Sequence, residues 1–315
     1  MGRDALRLAV SALELQPSDV ALLPAYLCVE VLKPFLACCH VVFYDICPDT
    51  SIDPREIEQQ LACHHPKVVL LINYFGFLQP HRAEIKALCA REGALLIEDC
   101  AHSLLTEGSG ETGDWAIYSF RKIVPVPDGG GLKPNRAAER LHPRFRPGFV
   151  VSLLSVLILA KTMLKVRHQA FSRSGLTSNL PGVSAPVGPR RGGLRLLPMS
   201  ALSLHRMRRL DYARVAARRR NDFQFWLEWS ARTPGVTPLF DRLVPGVCPM
   251  GFPIFVQHRE RLEFQLEQKG LLIRTHWHLP ESVGSQFVNS HRLARETLTL
   301  PLFHEFEEKQ RSRVA

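Results

Sequence analysis

The sequence lacks a hydrophobic segment long enough to cross a membrane, and it lacks the pattern of a secretory signal. Its most apolar run, residues 149–160, ends at Lys161, whereas a helix that spans a bilayer needs about 20 apolar residues. The chain starts with Met1, a glycine and two charged residues, with no apolar stretch behind them. We therefore expect no membrane span, and contact of this run with a membrane surface is the less favoured alternative.

The eight cysteines include no C-x-x-C pair, which argues against the common zinc and redox motifs. Two clusters, Cys38-Cys39-His40 and Cys63-His64-His65, contain residue types that bind metals. Adjacent residues in an extended strand point to opposite faces, however, so they cannot easily share one ion. The pattern predicts free thiols, no metal site and a reducing compartment, the cytoplasm.

The sequence also lacks the features of a nucleic-acid-binding protein, although its formal net charge is +10. Much of the positive charge lies in residues 189–220, where the arginines are neither interleaved with aromatic residues nor placed in a recognised module. We interpret this run, which includes Arg218-Arg219-Arg220, as a solvated helix face and expect no nucleic-acid partner. Attraction of an anionic substrate such as a sugar diphosphate is the alternative interpretation.

The first 135 residues show a regular alternation of helical patterns with short apolar runs. Two of these runs, residues 67–73 and 94–98, are apolar almost throughout, as strands buried on both faces are. Apolar strands separated by helices predict an α/β fold, in which a mostly parallel central sheet carries helices on both faces.

The pattern changes after residue 135. Residues 149–167 have the composition of one apolar helix, whereas residues 172–198 are rich in Ser, Gly, Pro and Arg. We expect the second segment to be an irregular flap or arm at the end of a large domain that spans residues 1–198.

Helical periodicity returns at Met199 and continues to about Arg232, which is long enough for a spine helix between two domains. Beyond it, short apolar runs such as residues 251–256 and 271–275 alternate with helical patterns. We expect residues 199–315 to form the spine helix and a smaller α+β domain.

A carboxylate at the end of a buried strand is the strongest local signal. The sequence Ile97-Glu98-Asp99-Cys100-Ala101-His102 follows the apolar run at residues 94–98. A carboxylate at the carboxyl end of a parallel strand faces the crevice in which α/β folds bind ligands. Asp99 could equally cap the next helix, and the segment alone does not choose between these interpretations.

A lysine between a strand and a glycine-rich turn is the second signal. Lys122 follows Ser119-Phe120-Arg121 and precedes Asp128-Gly129-Gly130-Gly131. A solvated loop lysine is the ordinary interpretation of such a residue. Together with Asp99, however, the lysine indicates pyridoxal 5'-phosphate (PLP), because this cofactor needs an amine for its aldehyde and a carboxylate for its ring nitrogen.

At these positions the chain resembles the DegT-type nucleotide-sugar aminotransferases, which are PLP enzymes of fold type I. The family's acidic motif, approximately E-D-x-A-Q/H, matches residues 98–102, and its paired glycines seven and eight positions after the lysine match Gly129 and Gly130. Weaker similarities include Asn73-Tyr74-Phe75-Gly76 and the segment from Lys269 to Trp277. The resemblance implies the fold of that family, a PLP cofactor and a homodimer.

The resemblance assigns the catalytic roles to two residues. Lys122 would form the Schiff base with the cofactor and, as free amine, move the proton between the two carbons of the substrate imine. Asp99 would pair with the pyridinium nitrogen, and His102 occupies the Gln/His position beside the ring oxygen.

The resemblance also implies where the rest of the cofactor binds. Ser119 matches the serine that binds the phosphate, and Gly2-Arg3-Asp4 matches the turn whose amides hold the phosphate at a helix N-terminus. The position of the aromatic residue that stacks on the ring falls on Cys28, so Tyr26 is the nearest substitute.

Several positions depart from the family pattern. Arg3 replaces a small hydroxyl residue, and Ser119 precedes the lysine by three residues where the family has five. Leu196 replaces the asparagine that reaches a neighbour's cofactor phosphate. The chain also begins at the phosphate turn, so the segment that precedes it in the family is expected to be missing.

The leading hypothesis is a transaminase that moves an amino group from an amino acid, with glutamate as the expected donor, to a keto sugar carried on a nucleotide. Such chemistry belongs to the biosynthesis of polysaccharides or of sugars in secondary metabolites. The alternative is an inactive or truncated relative that acts as a scaffold or interaction module. A PLP-dependent sugar dehydratase is disfavoured, because such relatives usually carry histidine in place of the lysine at position 122.

Overall fold

The computed structural model describes residues 1–135, 198–302 and 308–314. The predicted helix at 149–167, Leu196 and almost all of the predicted arm at 172–198 lie outside the described residues. The division into two domains near residue 198 therefore stays a prediction.

The described part of the chain contains two sheets. The first has the strand order β2-β1-β3-β4-β5-β6, and the second has the order β7-β8-β9. The strands are β1 Val20–Pro24, β2 His40–Tyr44, β3 Val68–Ile72, β4 Leu95–Asp99, β5 Trp115–Ser119, β6 Gly130–Pro134, β7 Val236–Pro238, β8 Phe252–Val256 and β9 Thr297–Leu300.

Helices surround both sheets. The helices are α1 Gly2–Ala12, α2 Val29–Leu36, α3 Pro54–His64, α4 Arg82–Arg91, α5 Ala201–Arg208, α6 Tyr212–Ala231, α7 Arg259–Gln268, α8 Val288–Glu296 and α9 Glu308–Val314. Short 3-10 turns at Tyr74–Gly76 and Phe120–Lys122 follow β3 and β5. Among the described helices, none is long and apolar enough to span a membrane.

The first sheet has the predicted architecture. Strands β1 to β5 are paired in parallel, and only β6 joins the sheet antiparallel, against β5. All five residues of β3 are buried, which requires cover on both faces because successive side chains point to opposite sides. The carboxyl ends of β3, β4 and β5 therefore open on one edge, where α/β proteins bind ligands.

The second sheet is antiparallel and packs against α6. Phe223, Trp226 and Trp229 of this helix form one apolar core with Phe252 on β8 and Leu300 on β9. The indole N–H of Trp226 donates to the Pro301 carbonyl, at 2.9 Å. This helix thus shares one apolar core with the second sheet.

The helix predicted from Met199 to about Arg232 is wrong in one respect, because the structure forms two helices there. α5 ends at Arg208, and α6 begins at Tyr212. The side chain of Asp211 accepts a hydrogen bond from the Arg214 amide and so caps a new helix, an arrangement that competes with continuing the first one.

Two further expectations differ from the structure. The run at 271–275 forms no strand and makes only an isolated bridge between Arg274 and Thr299. The basic run is not a uniformly solvated face either, because Arg219 is 1% exposed. An arginine can be buried when carbonyl oxygens accept its N–H groups, and a charge pattern alone does not show where such acceptors lie.

Candidate active site

Asp99 is the last residue of β4 and lies buried at the opening of the first sheet, with 4% of its surface exposed. One carboxylate oxygen accepts the Ala101 amide at 2.9 Å. Burial raises the pKa of Asp99, and the neighbouring charge of Lys122 acts in the opposite direction. A desolvated carboxylate of this kind favours a cation beside it, because the cation restores part of the lost solvation.

The neighbouring carboxylate, Glu98, has a structural role that the sequence did not reveal. It is fully buried and accepts hydrogen bonds from the Asn73 side chain, at 2.8 Å, and from the amides of Gly110, Thr112 and Gly113, each at 3.1 Å. Because adjacent strand residues point to opposite faces, Glu98 fixes the loop behind the sheet while Asp99 faces the opening.

Lys122 ends the 3-10 turn that follows β5, so its amine comes back toward Asp99 on the adjacent strand. Its Nζ lies 2.8 Å from Nε2 of His102. The pKa of Lys122 is lowered to about 8, mainly by burial. The negative charge of Asp99 acts to raise this pKa, and the positive charge of Arg121 acts to lower it. Roughly a tenth of the amine is therefore neutral at pH 7, far more than for an ordinary lysine, and the neutral form is the nucleophile.

The hydrogen bonds of His102 assign its protonation. The Phe75 amide donates to Nδ1 at 3.2 Å, so Nδ1 carries no hydrogen and the neutral ring carries its hydrogen on Nε2. Burial, with the charge of Lys122 as a second cause, lowers the pKa of His102 well below its usual value. Nε2–H consequently points at Nζ of Lys122, which can accept only when the amine is neutral.

Aromatic side chains form a wall beside this pair. The Trp277 ring stacks on the His102 ring, with centroids 5.4 Å apart and planes 27° from parallel. Tyr26, the expected substitute for a stacking residue, is buried behind Trp277 at 5.2 Å, and its hydroxyl donates to the His276 carbonyl. Cys28 is half-buried at the start of α2.

The N-terminus of α1 lies against the end of β5. A Cβ on Gly2 would come within 2.8 Å of the Ser119 Cβ, and a Cβ on Gly130 would come within 2.5 Å of the Met1 carbonyl carbon. Glycine at both positions allows the backbones to approach. The Ser119 side chain and the first amides of α1, which lack acceptors within the helix, therefore lie side by side as donors for an anion.

Arg3 and Asp4 are engaged elsewhere. The Arg3 guanidinium forms an ion pair with Glu30 on α2, at 3.0 Å. The Asp4 carboxylate contacts the Met1 amino group, at 2.7 Å, and Arg7, at 3.6 Å. Of the predicted phosphate turn, the backbone and Ser119 are thus placed together, whereas the two charged side chains point to partners of their own.

Comparison with known proteins finds a family model that matches the first part of the chain. The model of the DegT/DnrJ/EryC1/StrS aminotransferase family matches residues 1–135. The match covers less than half of the 315-residue chain. The predicted resemblance is confirmed, and the matched residues include β1 to β6 and every predicted site residue.

Two curated relatives and one solved structure support the assignment. EpsN of Bacillus subtilis (strain 168), named as a pyridoxal phosphate-dependent aminotransferase, is 33% identical over 46% of this chain and 40% of its own length. The UDP-4-amino-4,6-dideoxy-N-acetyl-beta-L-altrosamine transaminase of Campylobacter jejuni is 28% identical over 42% of this chain and 37% of its own. The aligned segment thus spans well under half of each relative.

The structural likeness extends further than the sequence likeness. Helicobacter pylori PseC, an aminotransferase involved in the biosynthesis of pseudoaminic acid, has a TM-score of 0.70 at 16% identity, over 99% of this chain and 82% of its own. At that identity the likeness shows the fold, and it confirms the predicted α/β architecture.

The residues present fit PLP, the predicted cofactor. The neutral amine of Lys122 suits an aldehyde, the buried Asp99 suits a pyridinium nitrogen, and Nε2–H of His102 suits a ring oxygen. Because Gly2 and Gly130 let α1 lie close to Ser119, the first backbone amides of α1 can donate to a phosphate there. The family and the chemistry of the site therefore agree on pyridoxal 5'-phosphate as the cofactor.

Proposed function

We propose that this chain is a PLP-dependent aminotransferase that moves an amino group from an amino acid, with glutamate as the donor, to a keto sugar carried on a nucleotide. The contact between Lys122 Nζ and His102 Nε2 supports the proposal most strongly. It combines a lysine whose pKa is lowered to about 8 with a neutral histidine and a buried carboxylate.

Lys122 has two tasks in this reaction. When bound, PLP supplies an aldehyde for the lysine amine and a protonated ring that accepts the electron pair of the substrate carbon. As a neutral amine, Lys122 would hold the cofactor through its aldehyde, and once released its Nζ would take up and return the proton that the reaction moves. Its half-buried place in the cleft keeps the amine partly unprotonated for both tasks.

Asp99 and His102 hold the cofactor ring in the state that the reaction needs. The Asp99 carboxylate, fixed by the Ala101 amide, keeps a proton on the ring nitrogen. His102 stays neutral, donates from Nε2, and is itself fixed by the Phe75 amide. Ser119 and the first amides of α1, beginning at Gly2, bind the phosphate.

A nucleotide-linked keto sugar is the proposed substrate class, for two reasons. The Campylobacter relative is named as a transaminase of a UDP-linked amino sugar. The positive charge of Arg274 also lowers the pKa of both Lys122 and His276, after burial as the main cause, and positive charge near the site favours an anionic substrate. We place the activity in polysaccharide or secondary-metabolite sugar biosynthesis.

We further propose a cytoplasmic homodimer. Symmetric dimers are the commonest soluble assembly. Light scattering on the purified protein tests this: twice the mass of the 35.6 kDa chain is expected, and the mass of a single chain would contradict it.

The covalent link to the cofactor is the decisive test of the function. The purified protein is mixed with PLP, its absorbance spectrum is recorded, borohydride is added, and the digested protein is analysed by mass spectrometry. We expect a band near the visible edge that borohydride bleaches, and the cofactor on the peptide that contains Lys122. Lys122→Ala should abolish both signals without changing the circular dichroism spectrum.

Lys133→Ala is the matched control, because Lys133 lies on β6 and donates to the Gly110 carbonyl instead of facing Asp99. This variant should still attach the cofactor. Attachment at Lys133 or at another lysine would overturn the assignment. Absence of any bleachable band in the folded protein would favour the scaffold alternative.

A further inference from the structure

Arg219 is a buried arginine on α6 whose guanidinium binds four backbone carbonyls from two separate segments. Nε donates to the Ile123 carbonyl at 2.9 Å, and Nη2 donates to the Lys122 carbonyl at 3.2 Å. Nη1 donates to the carbonyls of Pro249 and Met250, at 3.1 and 2.8 Å. The fork thus joins the end of the lysine turn to the chain just before β8.

The carbonyls at the end of a helical turn lack partners within the turn. In the turn at 120–122, the amides of Ile123 and Val124 both donate to the Phe120 carbonyl. The Lys122 and Ile123 carbonyls lie at the end of this turn, and Arg219 donates a hydrogen bond to each of them. Because a buried carbonyl without a donor is costly, this contact determines where the turn, and with it the Lys122 side chain, can lie.

The same contacts form a closed cycle of hydrogen bonds. The Met250 amide donates to the Phe75 carbonyl at 2.8 Å, and the Phe75 amide donates to Nδ1 of His102. Nε2 of His102 contacts Nζ of Lys122, and the Lys122 carbonyl accepts from Arg219. The arginine closes the cycle by binding the Met250 carbonyl. The positions of His102 and Lys122, the two partners of the amine contact, therefore both depend on Arg219.

We propose that Arg219 is a positioning residue, which holds the amine of Lys122 against His102 by fixing the lysine turn and the segment at 249–250 to each other. The role of the amine in catalysis rests on the function proposed above, whereas the positioning itself does not. Arginine suits the task because its planar fork reaches both segments at once, whereas the ammonium of a lysine is a single point with a shorter reach.

Competitive labelling of the cofactor-free protein tests the proposal. Trace amounts of isotopically labelled acetic anhydride are applied across a pH series, and mass spectrometry gives the labelling of each lysine peptide. In Arg219→Lys the charge is retained but the fork is lost, so the turn should relax and the Lys122 amine should gain water. We expect its apparent pKa to rise by about one unit, which makes the free amine about tenfold scarcer below that pKa.

Arg220→Lys is the control, since Arg220 is adjacent on α6 and donates to the carbonyls of Val244 and Val247, outside the cycle. It should leave the labelling of Lys122 unchanged. Labelling of Lys133 serves as the internal reference in all variants. Urea unfolding, followed by circular dichroism, shows that each variant is folded when it is labelled.

A folded Arg219→Lys protein with the parent's labelling profile at Lys122 would overturn the proposal. If this variant unfolds, Arg219→Gln, which retains a shorter N–H donor, is labelled in the cold with the same expectation. Failure of both variants to fold would assign Arg219 to stability alone and would also overturn it. Because no cofactor is present, a negative borohydride experiment at Lys122 would refute the proposed function without changing this result.

Discussion

The two ends of the proposed cofactor site are built differently. At the lysine end, Asp99 and His102 are buried, and a closed cycle of hydrogen bonds runs through His102 and Lys122. At the phosphate end, backbone donors lie beside Ser119, but the nearby charges of Arg3 and Asp4 form partly exposed ion pairs.

The difference teaches which end can tolerate change. Removing one partner from a buried, hydrogen-bonded group leaves the other unsatisfied, at a cost of roughly 1–3 kcal/mol. A surface ion pair such as Arg3–Glu30 contributes at most about 1 kcal/mol. The proposed chemistry therefore lies where the structure is least adaptable, and the arginine at position 3 lies where it is most adaptable.

Asp99→Asn should have the largest effect at the lysine end. The neutral amide cannot hold the proton on the ring nitrogen, so transamination should slow by roughly 100-fold or more, which is typical when a charge-stabilising group is lost. The cofactor should still attach to Lys122, because the amine is retained. Single-turnover kinetics with amino donor and PLP-loaded protein measure the rate, and the borohydride assay measures the attachment.

Glu98→Gln is the matched control, one residue away on the opposite face. It replaces a carboxylate that accepts four hydrogen bonds, so the free energy of unfolding should fall by about 2 kcal/mol while single-turnover chemistry is largely kept. Near-normal turnover in Asp99→Asn would show that Asp99 only caps the following turn.

The pH dependence of cofactor attachment separates the two ends. Only the neutral amine attacks, so the rate should rise about tenfold per pH unit below the pKa of Lys122 and level off above it. The midpoint should lie at about 8, not near the ordinary lysine value. The pH profile should show no second transition from His102, because the pKa of His102 lies well below its usual value and the ring stays neutral throughout.

Stopped-flow absorbance with PLP and with pyridoxal provides the measurement. Pyridoxal lacks the phosphate, so it should attach more slowly but with the same midpoint, because the phosphate end does not set the pKa of the amine. A midpoint near 10, or one that moves when the phosphate is absent, would contradict the separation of the two ends.

The sequence predicted the elements of the first sheet well, because strands buried on both faces have a local signature. The apolar runs at 67–73 and 94–98 lie within one residue of the bounds of β3 and β4. Local signals also placed Asp99 and Lys122 at strand ends, and parallel pairing of β4 with β5 brings them to one edge.

The contacts that organise the site were not predictable in the same way. Arg219 acts through carbonyls far away in sequence, Glu98 through amides of the following loop, and Trp277 through stacking across the cleft. In the sequence, Arg219 looks like any solvated arginine, Glu98 like any glutamate in a strand and Trp277 like any tryptophan of a core. Only the strand alternation could have signalled that Glu98 and Asp99 face opposite sides.

Asp4→Asn should have the smallest effect and concerns the phosphate end. The Asp4 carboxylate lies in the first turn of α1, whose positive N-terminal dipole is the proposed phosphate site. An anion there competes with the phosphate, so its removal should tighten binding of pyridoxamine phosphate, which cannot attach covalently, by about two- to fivefold, as helix-end charges usually do. Asp53→Asn is the control, since Asp53 caps α3 away from the cleft. Equilibrium dialysis at low salt measures the affinity, and weaker binding in Asp4→Asn would show that this carboxylate organises the phosphate turn instead of competing for it.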